Sequence, residues 1–123
     1  ALSADFGPAK VISVGRVDSG NGRACSAITD PNGLLNGNIA LISRGLCTFV
    51  SKVKHAQAAG AVLVVVYNNV KDAPPITMGG TSTDITIPSF MVSNMQGLAL
   101  DALENANPGE VQMTISAKTS RIL

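Results

Sequence analysis

Aromatic side chains are nearly missing from this chain: three Phe, one Tyr and no Trp, 3% of its residues. That scarcity excludes a surface on which nucleic-acid bases stack. It also requires a core built from Val, Ile, Leu, Ala and Met. Charge is sparse as well. Asp, Glu, Lys and Arg make up 14%, the formal net charge is +1, and there is no basic cluster. Neither a nucleic-acid backbone nor an anionic membrane surface is an expected partner. No apolar run reaches the about 18 residues needed to cross a bilayer. The longest runs from Ala61 to Tyr67, so membrane insertion by this segment is not expected. No Asn-x-Ser/Thr acceptor is present, so no N-glycan is expected. The chain begins at Ala1 without Met and without a signal-like segment, and it reads as a mature product or as a domain of a larger protein.

What is present is apolar: 46% of 123 residues, enough for one domain with a single core and too much for a disordered chain. The most informative stretch is Ile39-Ala40-Leu41-Ile42-Ser43-Arg44-Gly45-Leu46-Cys47-Thr48-Phe49, followed by Ala56-Gln57-Ala58-Ala59-Gly60 and then Ala61 to Asn69. It reads as strand, tight turn, helix and buried strand. Thr48 is placed to cap the helix, and Gly60 stands where a helix needs a left-handed stop. Phe49, Val53, Ala56 and Ala59 share one stripe at helical spacing, leaving Lys52, Lys54, His55 and Gln57 for the rest. The run from Ala61 to Tyr67 does not alternate, as in a parallel strand covered on both faces. Strand, helix and strand in this order form a βαβ unit.

Upstream, Val11 to Val17 reads as a first strand, and Cys25 to Asn38 as a loop with turn formers at Asp30-Pro31-Asn32-Gly33 and Asn36-Gly37. Downstream, residues 70–87 form a long polar loop, of a length that is usually functional or mobile. Pro88 to Val92 reads as a short strand. Ser93-Asn94-Met95-Gln96 has the form of a capping box, opening a helix to about Asn105 expected to bury Met95, Leu98, Ala99, Ala102 and Leu103. Val111, Met113, Ile115 and Ala117 alternate inward on a last strand expected to be antiparallel. The predicted fold is mixed α/β (α+β), with a mixed sheet and two principal helices.

Catalytic chemistry finds little to work with. Cys47 lies before a helix N-terminus, where a thiolate is favoured. The only base to pair with it is His55, eight residues on, about 12 Å along a helix axis. No Gly-x-Ser-x-Gly motif occurs. Asp18, Asn21 and Asp30 could offer oxygens to Ca²⁺ but match no ligand loop and read as turn residues. Gly79-Gly80-Thr81-Ser82-Thr83 lacks the lysine and helix of a phosphate loop. No metal or cofactor is implied. Arg44, at a strand end, is the best recognition candidate, with a structural arginine pairing to loop carbonyls as the competing reading. Phe49 reads as core. Cys25 and Cys47 are compatible with two free thiols or with one disulfide.

Taken in order and spacing, these segments resemble the protease-associated (PA) domain family. The likeness runs from Phe6-Gly7-Pro8 through the Arg44 to Phe49 motif with Lys52, Ala56 to Ala61, Val64 to Asn69 and Ile87 to Ser93, ending at Gly97 to Leu100. It covers most of residues 1–123 as a single domain. The resemblance implies an open β-barrel or β-sandwich of mixed strands flanked by helices, containing the βαβ unit. It implies a non-catalytic accessory domain of a larger secreted or extracellular protein. Subtilisin-like proteases, zinc aminopeptidases, plant sorting receptors and membrane-anchored RING ligases carry such domains. A peptide or protein ligand and an adjacent domain of the parent chain are the implied partners; a lid restricting access to a neighbouring active site is the alternative role. In the sorting receptors the Arg-Gly-x-Cys-x-Phe loop contacts cargo. Here that pattern falls on Arg44, Gly45, Cys47, Thr48 and Phe49, with Leu46 at the variable place; Arg44 to Thr48 are the expected contact wall, with Met78, Gly79, Gly80 and Thr81 expected as a mobile second wall. The family also implies a Cys25–Cys47 disulfide, which would stabilise the fold by about 3 kcal/mol in the chain-entropy model.

Overall fold

β-Branched runs become strands and the capped segments become helices. The computed structural model describes residues 5–80 and 82–116. Within them lie β1 (Phe6–Ser13), α1 (Val14–Val17), β2 (Ile39–Ser43), α2 (Phe49–Ala58), β3 (Leu63–Tyr67), β4 (Ser89–Val92), α3 (Asn94–Ala106) and β5 (Gln112–Ile115). The strands form one sheet in the order β4-β3-β2-β1-β5. β1 to β4 are mutually parallel, with Ile39 opposite Leu63 and Ser43 opposite Tyr67. β5 runs antiparallel along β1. This is the expected mixed α+β sheet flanked by helices, with β2–α2–β3 as its βαβ unit.

Side-chain alternation sends the two faces of the sheet to two cores. Ile12, Ala40, Ile42, Val64, Val66 and Met91 pack with Val53 and Ala56 of α2. Val11, Ile39, Leu41, Leu63, Val65 and Phe90 pack on the other face, with Leu100 of α3 against them. The helices therefore cover opposite faces, and the carboxyl ends of β1 to β4 open at one end of the sheet.

Four expectations need correction. The first strand does not continue to Val17: β1 starts earlier and stops at Ser13, and Val14 to Val17 coil into a helical turn. A buried carboxylate, Glu104 Oε1, accepts from Ser13 N at 2.8 Å and so ends the ladder there. Lys52 is not on the solvent side of α2; it is fully buried. His55 is half-buried, with Nδ1 2.7 Å from the Ala24 carbonyl oxygen. Finally, α3 has its predicted start, since Ser93 and Gln96 form the capping box. It faces the opposite way, however: Asn94, Gly97 and Glu104 are buried, while Met95, Leu98 and Leu103 are exposed. Polar anchors hold this orientation, as described below. On β5, Val111 and Ile115 point inward as expected, and Ala117 lies outside the described residues.

The long loop is also better anchored than its composition predicts. Met78 is buried in the α2-side core, and Ile76, Ile85 and Ile87 pack against it. The Gln57 side chain donates to the Asp84 carbonyl and accepts from the amides of Thr86 and Ile87.

Gly97 is where α3 touches the sheet. A Cβ placed there would lie 1.9 Å from Tyr67 Cβ and 2.2 Å from its Cγ. Tyr67 Cβ is tethered to the sheet backbone and cannot rotate away. Gly97→Ala is expected to lower the unfolding free energy by about 1–3 kcal/mol, because overpacking outweighs the gain in helix propensity. Urea unfolding of the variant checks this; a stability equal to the parent would mean α3 can shift freely.

Candidate functional site

The loop between β2 and α2 projects from the carboxyl end of the sheet, the end at which open α/β sheets bind ligands. The turn is tight. Cys47 N donates to Gly45 O at 2.9 Å across the single intervening residue, Leu46, whose φ is +72°. That is a γ-turn of the rarer, positive-φ kind, which is strained for a side chain of this size. Leu46 is 86% exposed, the most exposed large apolar residue among those described. Gly45, at φ +122°, gives the chain the reversal it needs.

Such a turn persists only where its surroundings hold it, and here the supports are explicit. Cys47 is joined to Cys25, with Cα atoms 5.6 Å apart. Lys52 extends from the second turn of α2 under the loop and donates from Nζ to Gly45 O and to Arg23 O, both at 2.7 Å. One buried ammonium thus ties together the two loops that the disulfide joins. Burial, reinforced by the positive charge of Arg23, pushes the Lys52 amine down to about 8. Thr48 Oγ1 caps α2 by accepting from Ser51 N at 3.1 Å.

Arg44 is braced from the other side. Its backbone N donates to Tyr67 O, and its Nη1 donates to Asn68 Oδ1 at 3.0 Å. Asn68, almost fully buried, also donates to Pro74 O, and its own carbonyl accepts from Asn94 Nδ2 at 2.9 Å. Asn94 Oδ1 in turn accepts from Asp72 N. These amides link the loops that follow β2, β3 and β4. The structural part of the Arg44 reading is thereby visible, with a side-chain amide rather than a carbonyl of the backbone as the acceptor.

Beside Leu46 lies an open recess of about 440 Å³, walled by Gly20 to Arg23, Cys25, Ser26 and Ser43. Arg23 is exposed and supplies the recess with a cation. The expected second wall is elsewhere. Met78 is in the core, and Gly80 sits against α2, where a Cβ would meet Val50 Cγ2 at 2.8 Å. Gly79 is exposed, and Thr81 lies outside the described residues. The wall facing Leu46 is built from the loop after α1 instead. Lys52, Arg23 and Asn68 are the residues that reasoning from sequence missed. A lysine four residues beyond a helix cap carries no local sign that it will turn inward. The sign was indirect: once Cys25 is bonded to Cys47, the Arg23 carbonyl must lie near the first turn of α2.

The candidate metal and catalytic groups have other partners. Asp18 accepts from Asn21 Nδ2 and Thr29 N, which holds its carboxyl below the usual range. Asp30 accepts from Leu34 N and Leu35 N. Both carboxylates are organising turns.

Comparison with known proteins adds the family. The model of the PA domain matches residues 9–100. The chain belongs to the PA domain family. Aminopeptidase YwaD of Bacillus subtilis is 40% identical over 70 residues, 57% of this chain and 15% of that protein. Signal peptide peptidase-like 3 of Arabidopsis thaliana is 44% identical over 71 residues, 54% of this chain and 13% of that one. Among solved structures, this PA domain superimposes on a zinc aminopeptidase from Bacillus subtilis with a TM-score of 0.60 and 30% identity, covering 88% of this chain and 22% of that one. An aminopeptidase from Aneurinibacillus sp. strain AM-1 gives 0.61 and 30%, over 88% and 23%. The chain therefore spans less than a quarter of each of these relatives.

Proposed function

We propose that this PA domain is a non-catalytic recognition module of a larger peptidase in an oxidising, extracellular compartment, and that it engages extended segments of protein substrate through the Leu46 loop. The observation that carries the reading is the Leu46 turn itself. A leucine 86% exposed at φ +72° gives nothing to the core, and it is held up by a disulfide, a buried lysine and a glycine at φ +122°. Backbone strain kept at an exposed apolar tip marks a contact residue. The recess beside it offers both apolar surface and the Arg23 cation, a combination suited to an apolar side chain next to a peptide carbonyl or carboxylate.

Leu46→Asn is the appropriate probe. Asn tolerates positive φ, so the fold is expected to be retained while the apolar tip is lost. In titrations with a library of unfolded peptides and with denatured protein, we expect at least about tenfold weaker binding, with an unchanged unfolding midpoint. Arg44→Ala is less clean, because it also releases Asn68. Equal binding by the parent and Leu46→Asn, or no binding by either, would remove the Leu46 loop from the function.

A further inference from the structure

Helix α3 is turned outward for a domain standing alone. Met95, Leu98 and Leu103 are 66%, 52% and 51% exposed, and Ala99 and Ala102 are exposed between them. Positions 95, 98, 99, 102 and 103 form one stripe of a 3.6-residue helix, and none carries a charge. The orientation is not that of a loosely attached helix. Glu104 is hydrogen-bonded to Ser13 N and to Arg16, Asn94 is tied to Asn68 and Asp72, and Gly97 is pressed on Tyr67. Polar groups are directed inward at fixed points, and the apolar stripe is left outside.

We infer that this stripe is the seat of another domain of the same polypeptide. The area selects that occupant. Thirteen residues of helix give a face about 20 Å long and about 10 Å wide. Stable complexes of separate proteins bury about 1,200–2,000 Å², several times what this face offers a second copy or a free protein. This face, about 400 Å² counted on both sides, is also below the about 600 Å² typical between domains of one chain, but a covalently linked neighbour acts at an effective concentration near the millimolar range and holds a contact too small for a free partner. In the two solved aminopeptidases, the matching chain is 22% and 23% of the whole, so a large covalent neighbour exists in those relatives. The geometry also allows it: α3 lies on the sheet face opposite α2 and starts at the end where the Leu46 loop projects. The inference rests on the accessory-domain reading for its tethered neighbour, and it does not require Leu46 to bind anything.

The four methionines provide the test. Met78 and Met91 are buried, Met113 is half-buried and Met95 is the exposed one. The complete polypeptide that carries this chain is treated with dilute hydrogen peroxide for timed intervals, and sulfoxide is measured at each methionine by peptide mass. We expect native Met95 to oxidise as slowly as Met78 and Met91, unchanged on dilution by about a hundredfold, and Leu98→Asp to raise its rate at least about tenfold. Met95 oxidising at the rate of a denatured control overturns the inference. So does protection that disappears on dilution, which would identify a second copy, or protection that survives Leu98→Asp. Leu46→Asn is expected to leave the Met95 rate unchanged, so failure of the peptide-binding reading and failure of this one are separable.

Discussion

Arg16→Ala is expected to lower the unfolding free energy by about 3–5 kcal/mol, the cost of breaking a buried ion pair from one side. The Glu104 carboxylate is fully buried, and among the described residues two donate to it: Ser13 N at 2.8 Å, and Arg16 Nε at 2.8 and 3.0 Å to its two oxygens. Without the guanidinium, a buried anion retains a single amide donor. Glu104→Gln is expected to cost less, about 1–2 kcal/mol, because the amide oxygen can still accept from Ser13 N. The double variant Arg16→Met with Glu104→Leu is expected to recover only part of the loss, since the Ser13 amide remains without an acceptor. Urea unfolding of the three variants checks the order. A cost for Arg16→Ala below about 1 kcal/mol, the level of an exposed pair, would mean the pair is not the anchor of α3. The consequence extends beyond stability. Glu104 ends β1 and sets the face that α3 shows to water, so the Met95 stripe depends on it.

Lys52→Met is expected to cost about 2–4 kcal/mol. Methionine fills the space, but the carbonyls of Arg23 and Gly45 each lose a charged donor at 2.7 Å; Gly45 O keeps the Cys47 amide, while Arg23 O is left unsatisfied, and a buried acceptor in that state costs about 1–3 kcal/mol. The same substitution removes a pH dependence whose sign is unusual for a lysine with partners. Burial lowers the folded amine from 10.5 to about 8, so between those values the unfolded chain binds the extra proton. Stability from this group therefore rises with pH across the window from about 8 to 10.5, and the penalty for burying the charge is fully present below it. The measurement is the difference between parent and Lys52→Met unfolding free energies from pH 7 to 10, which cancels the other titrating groups. Parallel curves would show that the buried amine does not titrate in that window. Because Lys52 supports the Gly45 carbonyl, Lys52→Met is also expected to weaken any peptide binding that Leu46→Asn weakens.

Much of the architecture was legible because local and tertiary preferences agree there. The run Ile39 to Ser43, the cap at Thr48, the stop at Gly60 and the unbroken apolar stretch ending at Tyr67 each announce one element, and each is found. The capping box at Ser93 located the start of α3 for the same reason. The face of α3 was not legible. Periodicity reports that a helix is two-sided, and it assumes the apolar side is buried; here Glu104, Asn94 and Gly97 are held to the sheet by distant partners, and the assumption inverts. Lys52 escaped notice similarly, because its two acceptors come from residues 23 and 45 and meet only through the fold.

By itself, then, the amino-acid sequence determined the order of the five strands and two principal helices and the βαβ unit, since these follow from local propensity, caps and hydrophobic period, and its motifs, in their order and spacing, carried the resemblance to the family. Only the tertiary structure decided which wall faces Leu46, where Arg16 and Lys52 find their partners, and which side of α3 meets water. Those depend on hydrogen bonds between residues up to 91 positions apart, and their energy exists only once the chain has closed.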